Sequence, residues 1–380
     1  MMEQLINPNV KNIQISGIRK FFNMVEGVQN VISLTIGQPD FPTPSHIKDV
    51  AKQAIDQNFT SYTANAGYLE LRKAASNYVK RKYRIVYHPE SEIIVTVGAT
   101  QGIDIALRTI LTPGTEVLLP GPIYPGYEPL IKLAGAKPVY LDTRNTGFKV
   151  TAEMIEKAIN NHTRCLILPY PSNPTGVSLT REELKEIAEV VKNKPIFVLA
   201  DEIYSELVYE KEHVSIAEFI PEQTIVINGL SKSHSMTGWR IGFVFAPAYL
   251  TKEMIKVHQY NVSCASSISQ KAAIAALTTG FYDGRLMREE YVKRRDYVYE
   301  QLIKSGYDTV LPDGAFYFFV KIPTDFQLNS FDYCLKMVKE NGVAVVPGSA
   351  FSEYGEGYFR LSYACSMEKL QEGLNRLLDK

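Results

Sequence analysis

The chain has 380 residues, more than a typical single domain, and its 41 basic residues balance its 41 acidic residues. This length predicts two domains, and zero net charge excludes a field that would attract nucleic acid or an anionic membrane. There is no charged segment followed by an apolar one at the start, and no apolar stretch approaches the ~18–20 residues of a membrane span, so we expect a cytoplasmic enzyme with small-molecule partners.

Residues 1–44 predict an arm that lies over another part of the protein. A helical signal spans residues 13–22, and the extended segment 31–44 contains three prolines that exclude regular structure. Gly37 in this segment would let the backbone approach a ligand closely, although this stretch alone favours a plain turn glycine. Ser45 is expected to be the N-cap of the next helix.

Strand and helix patterns alternate after the arm, which is typical of an α/β fold with a doubly wound, mainly parallel sheet. We predict a large cofactor-binding domain at residues 45–284 and a smaller α/β domain at 285–380, packed with the arm. Predicted strands are residues 92–97, 117–119, 138–141, 165–168, 196–200, 224–228 and 241–246, then 315–322, 343–345 and 358–364. Predicted helices include residues 181–192, 248–280, 286–305 and 331–341. The four cysteines form no close pair, so we expect reduced thiols and no metal site.

One lysine stands between two of the buried strands. Lys232 lies among small residues in the run 229–242, and Arg240 follows it between two glycines. An amine becomes nucleophilic when burial or a neighbouring cation lowers its pKa, and an arginine fork suits phosphate. These residues match the aldehyde and the phosphate of pyridoxal phosphate. A surface lysine in a Ser/Gly loop remains the alternative when the stretch is taken alone.

Polar residues follow other predicted strands, at the ends where open α/β sheets bind ligands. Asp201 could pair with a pyridine nitrogen, or it could be a helix N-cap. Tyr204, three residues later, could donate to the ring oxygen. Asn173 lies in a loop made rigid by three prolines, although an ordinary Asn-Pro turn is also possible.

Three further positions complete the candidate site. Ala99 and Thr100 lie at a strand-to-helix turn whose free amides would cradle a phosphate. Tyr124 could stack on a planar cofactor, or it could be a packed aromatic side chain. Arg360 lies in an apolar strand, so it needs a partner, which would be a substrate carboxylate or a structural ion pair.

The stretch around Lys232 resembles the lysine-attachment pattern of class I and II aminotransferases, within fold type I of the pyridoxal-phosphate enzymes. Residues 62–67, 172–176, 200–204 and 359–362 are similar to the family's other motifs, in the same order. The resemblance covers nearly the whole chain. It implies a cytoplasmic homodimer that moves an amino group between an L-amino acid and a 2-oxo acid such as 2-oxoglutarate.

The resemblance also implies a role for each candidate residue. Lys232 would attach the cofactor as a Schiff base and move the substrate Cα proton, while Asp201 would hold the pyridine nitrogen. Tyr204, Asn173 and Tyr124 would contact the ring. The phosphate would be bound by Arg240, Ala99, Thr100, Ser231 and, from the other subunit of the dimer, Tyr62. The substrate α-carboxylate would be bound by Arg360, Asn173, Tyr124 and the Gly37 backbone. His234 lies near this set, but a structural role explains it at least as well.

Two departures from the family pattern affect these expectations. Gly229 stands where some relatives have a serine that contacts phosphate, so that hydroxyl would be either missing or supplied by Ser231. There is no lysine near Thr100 to bind a side-chain carboxylate, which argues against strict aspartate specificity. The rival functions are an aspartate or broad-specificity aminotransferase, a pyridoxal-phosphate β-lyase, and a non-catalytic sensor domain. The sensor would need a DNA-binding extension that the sequence lacks.

Overall fold

The computed structural model describes residues 2–25 and 27–379. Its strands are β1 (Ile32–Ser33), β2 (Ile93–Val97), β3 (Glu116–Gly121), β4 (Lys137–Asp142), β5 (Thr163–Leu168), β6 (Phe197–Asp201), β7 (Thr224–Gly229), β8 (Ile241–Phe245), β9 (Tyr317–Lys321), β10 (Val343–Ala344), β11 (Val346–Pro347) and β12 (Tyr358–Ser362).

The α-helices are α1 (Pro8–Lys11), α2 (Gly17–Val25), α3 (Ser45–Asp56), α4 (Leu69–Tyr83), α5 (Gly98–Ile110), α6 (Tyr127–Leu133), α7 (Ala152–Ala158), α8 (Arg181–Val191), α9 (Leu230–Ser233), α10 (Ala248–Val262), α11 (Ser267–Leu277), α12 (Gly284–Lys304), α13 (Ser330–Lys336) and α14 (Met367–Leu378). In the part of the chain that is described, no helix combines the length and the apolar character needed to cross a bilayer.

A seven-stranded sheet forms the centre of the fold, in the order β2-β8-β7-β6-β5-β3-β4. Only β8 runs antiparallel to its neighbours. Because successive side chains of a strand point to opposite faces, Ile225 and Ile227 pack with α5 and α10 in one core, whereas Val226 packs with α4, α8 and α11 in the other. Both faces are therefore covered, and the predicted α/β class with a large, mainly parallel sheet is confirmed.

A second, three-stranded sheet has the order β11-β12-β9 and is antiparallel throughout. The arm joins it: β1 pairs with β10, and the Ser362 amide donates to the Leu34 carbonyl at 2.8 Å. Phe21 and Leu34 of the arm are buried in the same core as Tyr317 and Phe318 of β9. This attachment places the backbone at Gly37 over the end of the large sheet. The domain limits 1–44, 45–284 and 285–380 stay a prediction.

Several predicted boundaries need correction. Ser45 is not the N-cap of α3, because Pro44 takes that position and no side chain caps the helix. The first helical signal shifts from residues 13–22 to Gly17–Val25. The long pattern at 248–280 is broken at Ser263, which has a positive φ, and Ser266 caps the second helix. By contrast, Thr180 and Glu183 form a complete capping box on α8.

The smaller domain differs from its predicted elements in two places. The helix expected at residues 331–341 is α13, which continues as a π-helical turn over Met337–Asn341. The strand expected at 343–345 is two short strands, because β10 pairs with β1 of the arm and β11 pairs with β12. One extended segment therefore links the arm to the small sheet.

Candidate active site

A cavity of about 560 Å³ opens at the carboxyl ends of the parallel strands. Asp201 ends β6, Lys232 follows β7, and the loops after β5 and β3 supply Asn173 and Tyr124. Parallel strands end at a common edge of the sheet, so the topology brings these side chains together. All the candidate residues except Tyr62 line the cavity: Gly37, Ala99, Thr100, Tyr124, Asn173, Asp201, Tyr204, Ser231, Lys232, Arg240 and Arg360.

Lys232 sits on the single helical turn α9 between two central strands. Its Nζ donates to the Gly37 carbonyl at 2.6 Å. Burial, together with the cations Arg360 and Arg240, lowers the pKa of Lys232 to about 8, while Asp201 opposes the shift. A far larger fraction of this amine is therefore neutral near pH 8 than for a solvated lysine, which prepares it to attack a carbonyl.

Asp201 is a buried carboxylate at the end of β6, 7% exposed. The Tyr127 hydroxyl donates to its Oδ2 at 2.6 Å, and the Ile203 amide donates to its Oδ1 at 3.3 Å. Burial raises the pKa of Asp201 to about 6 despite these hydrogen bonds. A buried carboxylate of this kind is stabilised when a cationic N–H lies beside it, and a protonated pyridine nitrogen is such a group.

Three side chains from different segments meet beside the lysine. The hydroxyls of Tyr204 and Tyr317 are hydrogen-bonded at 2.8 Å. The Arg360 guanidinium stacks over the Tyr317 ring, 4.3 Å from its centre, and Lys232 Nζ lies 5.7 Å from the centre of the Tyr204 ring. Burial raises the pKa of Tyr204 well above its ordinary value, so the hydroxyl remains a proton donor.

Arg360 is 3% exposed and makes no ion pair with any carboxylate in the described residues. Its Nη1 donates to the Asn173 side-chain oxygen at 2.8 Å and its Nη2 to the Thr35 carbonyl at 2.7 Å, while its Nε is buried without a partner. Burial lowers the pKa of Arg360. A cation without a counterion in a cavity wall is a binding site for an anion.

The residues at the end of the cavity opposite Arg360 have the chemistry that binds a phosphate group. Residues 98–100 form the first turn of α5, where backbone amides have no partner within the helix. The Arg240 guanidinium lies against this turn, since a Cβ on Gly98 would come within 2.5 Å of Nη2. Gly229 has no room for a side chain, because its Cβ would lie 2.9 Å from the Ile241 carbonyl oxygen. Ser231 is therefore the hydroxyl that α9 presents to the cavity.

Replacing Gly242 with alanine is expected to damage this end of the site. The new Cβ would overlap the backbone of Gly98 and Ala99, so the first turn of α5 must shift. We expect a loss of about 1–3 kcal/mol in the free energy of unfolding and pyridoxal-phosphate binding weaker by about tenfold or more. Urea unfolding measures the loss of stability, and titration with pyridoxal phosphate measures the loss of affinity.

Gly238→Ala is the control for this prediction, because its Cβ would contact nothing within 4 Å. Equal effects in both variants would contradict the prediction.

Two residues noted in the sequence lie elsewhere. Tyr62 is 87% exposed on the surface and does not line the cavity of its own chain. His234 is buried, with its ring between the Ser233 hydroxyl at 2.8 Å and the Gly280 carbonyl at 3.0 Å, so it joins α9 to the segment before α12. It does not line the cavity, which agrees with the structural interpretation.

The sequence reasoning missed Tyr127 and Tyr317. Tyr127 is three residues beyond Tyr124, the predicted aromatic contact, but nothing in the sequence joins its hydroxyl to Asp201. Tyr317 had a weak signal: β9 pairs Phe319 with Arg360, and the two-residue period of a strand puts Tyr317 on the same face as Phe319. This signal predicts that Tyr317 lies near Arg360 only when the register between β9 and β12 is known.

The residues of the cavity fit pyridoxal phosphate on their chemistry. An amine with a lowered pKa suits the aldehyde, a buried carboxylate suits the ring nitrogen, and Arg240 with the start of α5 suits the phosphate. The unpaired Arg360 remains for the carboxylate of an amino acid.

The comparisons with known proteins all indicate the same family. The model of aminotransferase classes I and II matches residues 29–377. A probable N-acetyl-LL-diaminopimelate aminotransferase of Bacillus subtilis is 62% identical over 99% of this chain and 95% of its own length. An aspartate aminotransferase of Pyrococcus abyssi is 42% identical over 98% of this chain and 95% of its own. A solved aromatic aminotransferase of Pyrococcus horikoshii superposes with a TM-score of 0.89 at 42% identity, covering 94% of this chain and 98% of that one.

Proposed function

Because the chain belongs to the class I and II aminotransferases, which depend on pyridoxal phosphate, we propose that its amino donor is N-acetyl-LL-diaminopimelate and that it acts in lysine biosynthesis. The acceptor would be a 2-oxo acid such as 2-oxoglutarate. The observation that carries the choice of donor is the 62% identity with the Bacillus subtilis relative over almost the full length of both chains.

The cofactor, when bound, supplies an aldehyde for the amine and a ring that accepts electrons. We propose that Lys232 holds the cofactor covalently and that its Nζ, once free, takes the proton from the substrate Cα. The lowered pKa of Lys232, about 8, supports this, because a neutral amine is required to accept a proton. Asp201 would keep the ring nitrogen protonated.

The other lining residues orient the two reactants. We propose that Tyr204 and Asn173 donate to the ring oxygen and that Tyr124 stacks on the ring. The phosphate would be bound by Arg240, Ser231 and the amides of Ala99 and Thr100. Arg360, with Asn173, Tyr124 and the Gly37 backbone, would bind the substrate α-carboxylate.

We further propose a cytoplasmic homodimer. Tyr62 is exposed and does not line the cavity of its own chain, and we propose that it reaches the phosphate end of the cavity in a second copy of the chain. All four cysteines are free thiols, which is the usual state in a reducing compartment.

A second candidate is an aspartate or broad-specificity aminotransferase, which the relatives at about 42% identity favour. The charged side chains that line the cavity argue against aspartate, because Asp201, Lys232, Arg240 and Arg360 all have proposed roles. Among the described residues that line the cavity, no further cation remains for a side-chain carboxylate.

A panel of amino donors with 2-oxoglutarate tests the proposal. N-acetyl-LL-diaminopimelate is expected to have the highest kcat/KM, about tenfold or more above aspartate and phenylalanine, which corresponds to about 1.4 kcal/mol of selective binding. Formation of glutamate is the measurement. A higher kcat/KM for aspartate would support the second candidate. Release of pyruvate and ammonia from cystathionine without any acceptor would indicate a β-lyase instead.

A further inference from the structure

A second cavity, of about 740 Å³, adjoins the active cavity. The two share a wall, because Ile18, Phe22 and Tyr124 line both. The rest of the second cavity is formed by α2 with the segment before it, by α6, and by residues 349–352. A molecule that extends past Ile18 and Phe22 from the active cavity would therefore enter the second one.

The second cavity is lined by one cation that has no partner among the described residues. Glu128 and Lys132, which also line it, form an ion pair with each other one turn apart on α6. Arg19 is exposed, lines the cavity, and makes neither a side-chain hydrogen bond nor an ion pair with any of the described residues. The net charge of the lining is therefore positive, and within the described part of the chain nothing competes with an anion for the guanidinium of Arg19.

Arg19 lies on α2 beside the apolar residues of the wall that the two cavities share. On α2, Ile18 and Phe22 are four residues apart, and so are Arg19 and Asn23. Residues four apart lie on one face of a helix, so an apolar pair and a polar pair lie side by side along α2. A ligand with a methylene chain that ends in polar groups matches this order.

The proposed donor has that form. Beyond its reacting amino-acid end, N-acetyl-diaminopimelate has three methylenes and then a carbon that bears both a carboxylate and an acetamide. We infer that the second cavity holds this distal end and that Arg19 binds its carboxylate, an inference that rests on the proposed function. Asn23 lies one turn away to pair with the acetamide. Aspartate and glutamate are too short to place a carboxylate there.

A pair of donors that differ only at the distal carboxylate tests the inference. N6-acetyl-L-lysine is N-acetyl-diaminopimelate with hydrogen in place of that carboxylate. With the holoenzyme, we expect kcat/KM to be about 10- to 100-fold higher for N-acetyl-diaminopimelate, the usual range for a hydrogen bond to a charged group. In Arg19→Met the ratio should fall to near one, while kcat/KM for N6-acetyl-lysine stays within about twofold of the parent enzyme.

Lys20→Met is the matched control, because Lys20 is the next residue on α2 and is exposed like Arg19, but it does not line the cavity. Its ratio should equal that of the parent. A parent ratio well above one that Arg19→Met leaves unchanged overturns the role of Arg19 alone. A parent enzyme that transaminates other donors but not N-acetyl-diaminopimelate overturns the proposed donor.

Binding measured without turnover gives an independent readout. The compound 2-acetamidopimelate lacks the reacting amine but keeps both carboxylates, and 6-acetamidohexanoate lacks the distal carboxylate as well. Calorimetry on the holoenzyme should show about 10- to 100-fold tighter binding of the former, lost in Arg19→Met and kept in Lys20→Met. Equal affinities in the parent enzyme would overturn the inference.

Discussion

Replacing Lys232 with alanine is expected to abolish transamination, with kcat lowered by roughly 10⁴-fold or more. The substitution removes the one amine that is proposed both to bind the cofactor covalently and to transfer the proton. Glutamate formation at saturating donor and acceptor measures the loss. The residues proposed to hold the cofactor phosphate and ring nitrogen are unchanged in this variant, so it should still bind pyridoxal phosphate, but without a covalent bond. Mass spectrometry after borohydride reduction distinguishes the two states.

Lys232→Arg is the control for this prediction. It keeps a cation of similar length at the same place, so an effect of charge alone would leave it active, whereas a requirement for an amine would leave it as inactive as alanine. A small primary amine added to Lys232→Ala should restore part of the rate, because it can take up the Cα proton. Turnover of Lys232→Ala near the parent rate would remove this lysine from the chemistry.

The pKa of Lys232 gives the same prediction a pH dependence. The folded-state pKa of about 8 lies below the ordinary 10.5, so the neutral form persists to lower pH. At about pH 7.5 roughly a quarter of this amine is neutral, against about one part in a thousand for a solvated lysine. The rate at which the cofactor attaches to the apoenzyme should rise with pH up to about 8 and then level off. A rise that continues to pH 10 would contradict the lowered pKa.

Local patterns were enough to predict most of the candidate residues that the structure brings to one cavity. Asp201 ends β6, while Lys232 and Asn173 follow β7 and β5 within five residues, and the edge where parallel strands end is fixed by the topology. Their neighbours along the chain therefore determine where they lie. The strands themselves were predicted within a few residues, because continuous apolar runs leave little freedom in a sheet covered on both faces.

Contacts between distant segments could not be read from the sequence. The hydrogen bond from Tyr127 to Asp201 and the Tyr204–Tyr317 pair depend on how the start of α6, the end of β6 and the start of β9 pack together. The segment 343–345 has strand propensity throughout, but the choice of partner divides it, since its first part pairs with the arm and its continuation pairs with β12. Propensity does not encode that choice.

Replacing Arg360 with alanine is the second prediction with a large effect. We expect kcat/KM to fall for every amino acid, by roughly 30- to 1,000-fold, which corresponds to a loss of roughly 2–4 kcal/mol of transition-state binding when a charged, hydrogen-bonded pair is lost. Arg360→Lys should recover only part of the loss, because an ammonium cannot make two parallel hydrogen bonds to a carboxylate. Steady-state kinetics with several donors measure the effect.

Stability distinguishes this role from a structural one. An arginine in a buried ion pair would cost about 3–5 kcal/mol of folding free energy when removed, but Arg360 has no carboxylate partner among the described residues. Its lowered pKa means that the fold disfavours the charge, so the charged form contributes no stability that alanine would lose. Two hydrogen bonds and the contact with Tyr317 are lost, so the unfolding free energy of the cofactor-free protein should change by only about 1–2 kcal/mol. A large loss of stability with kcat/KM unchanged for every donor would assign Arg360 to the fold and remove it from the substrate site.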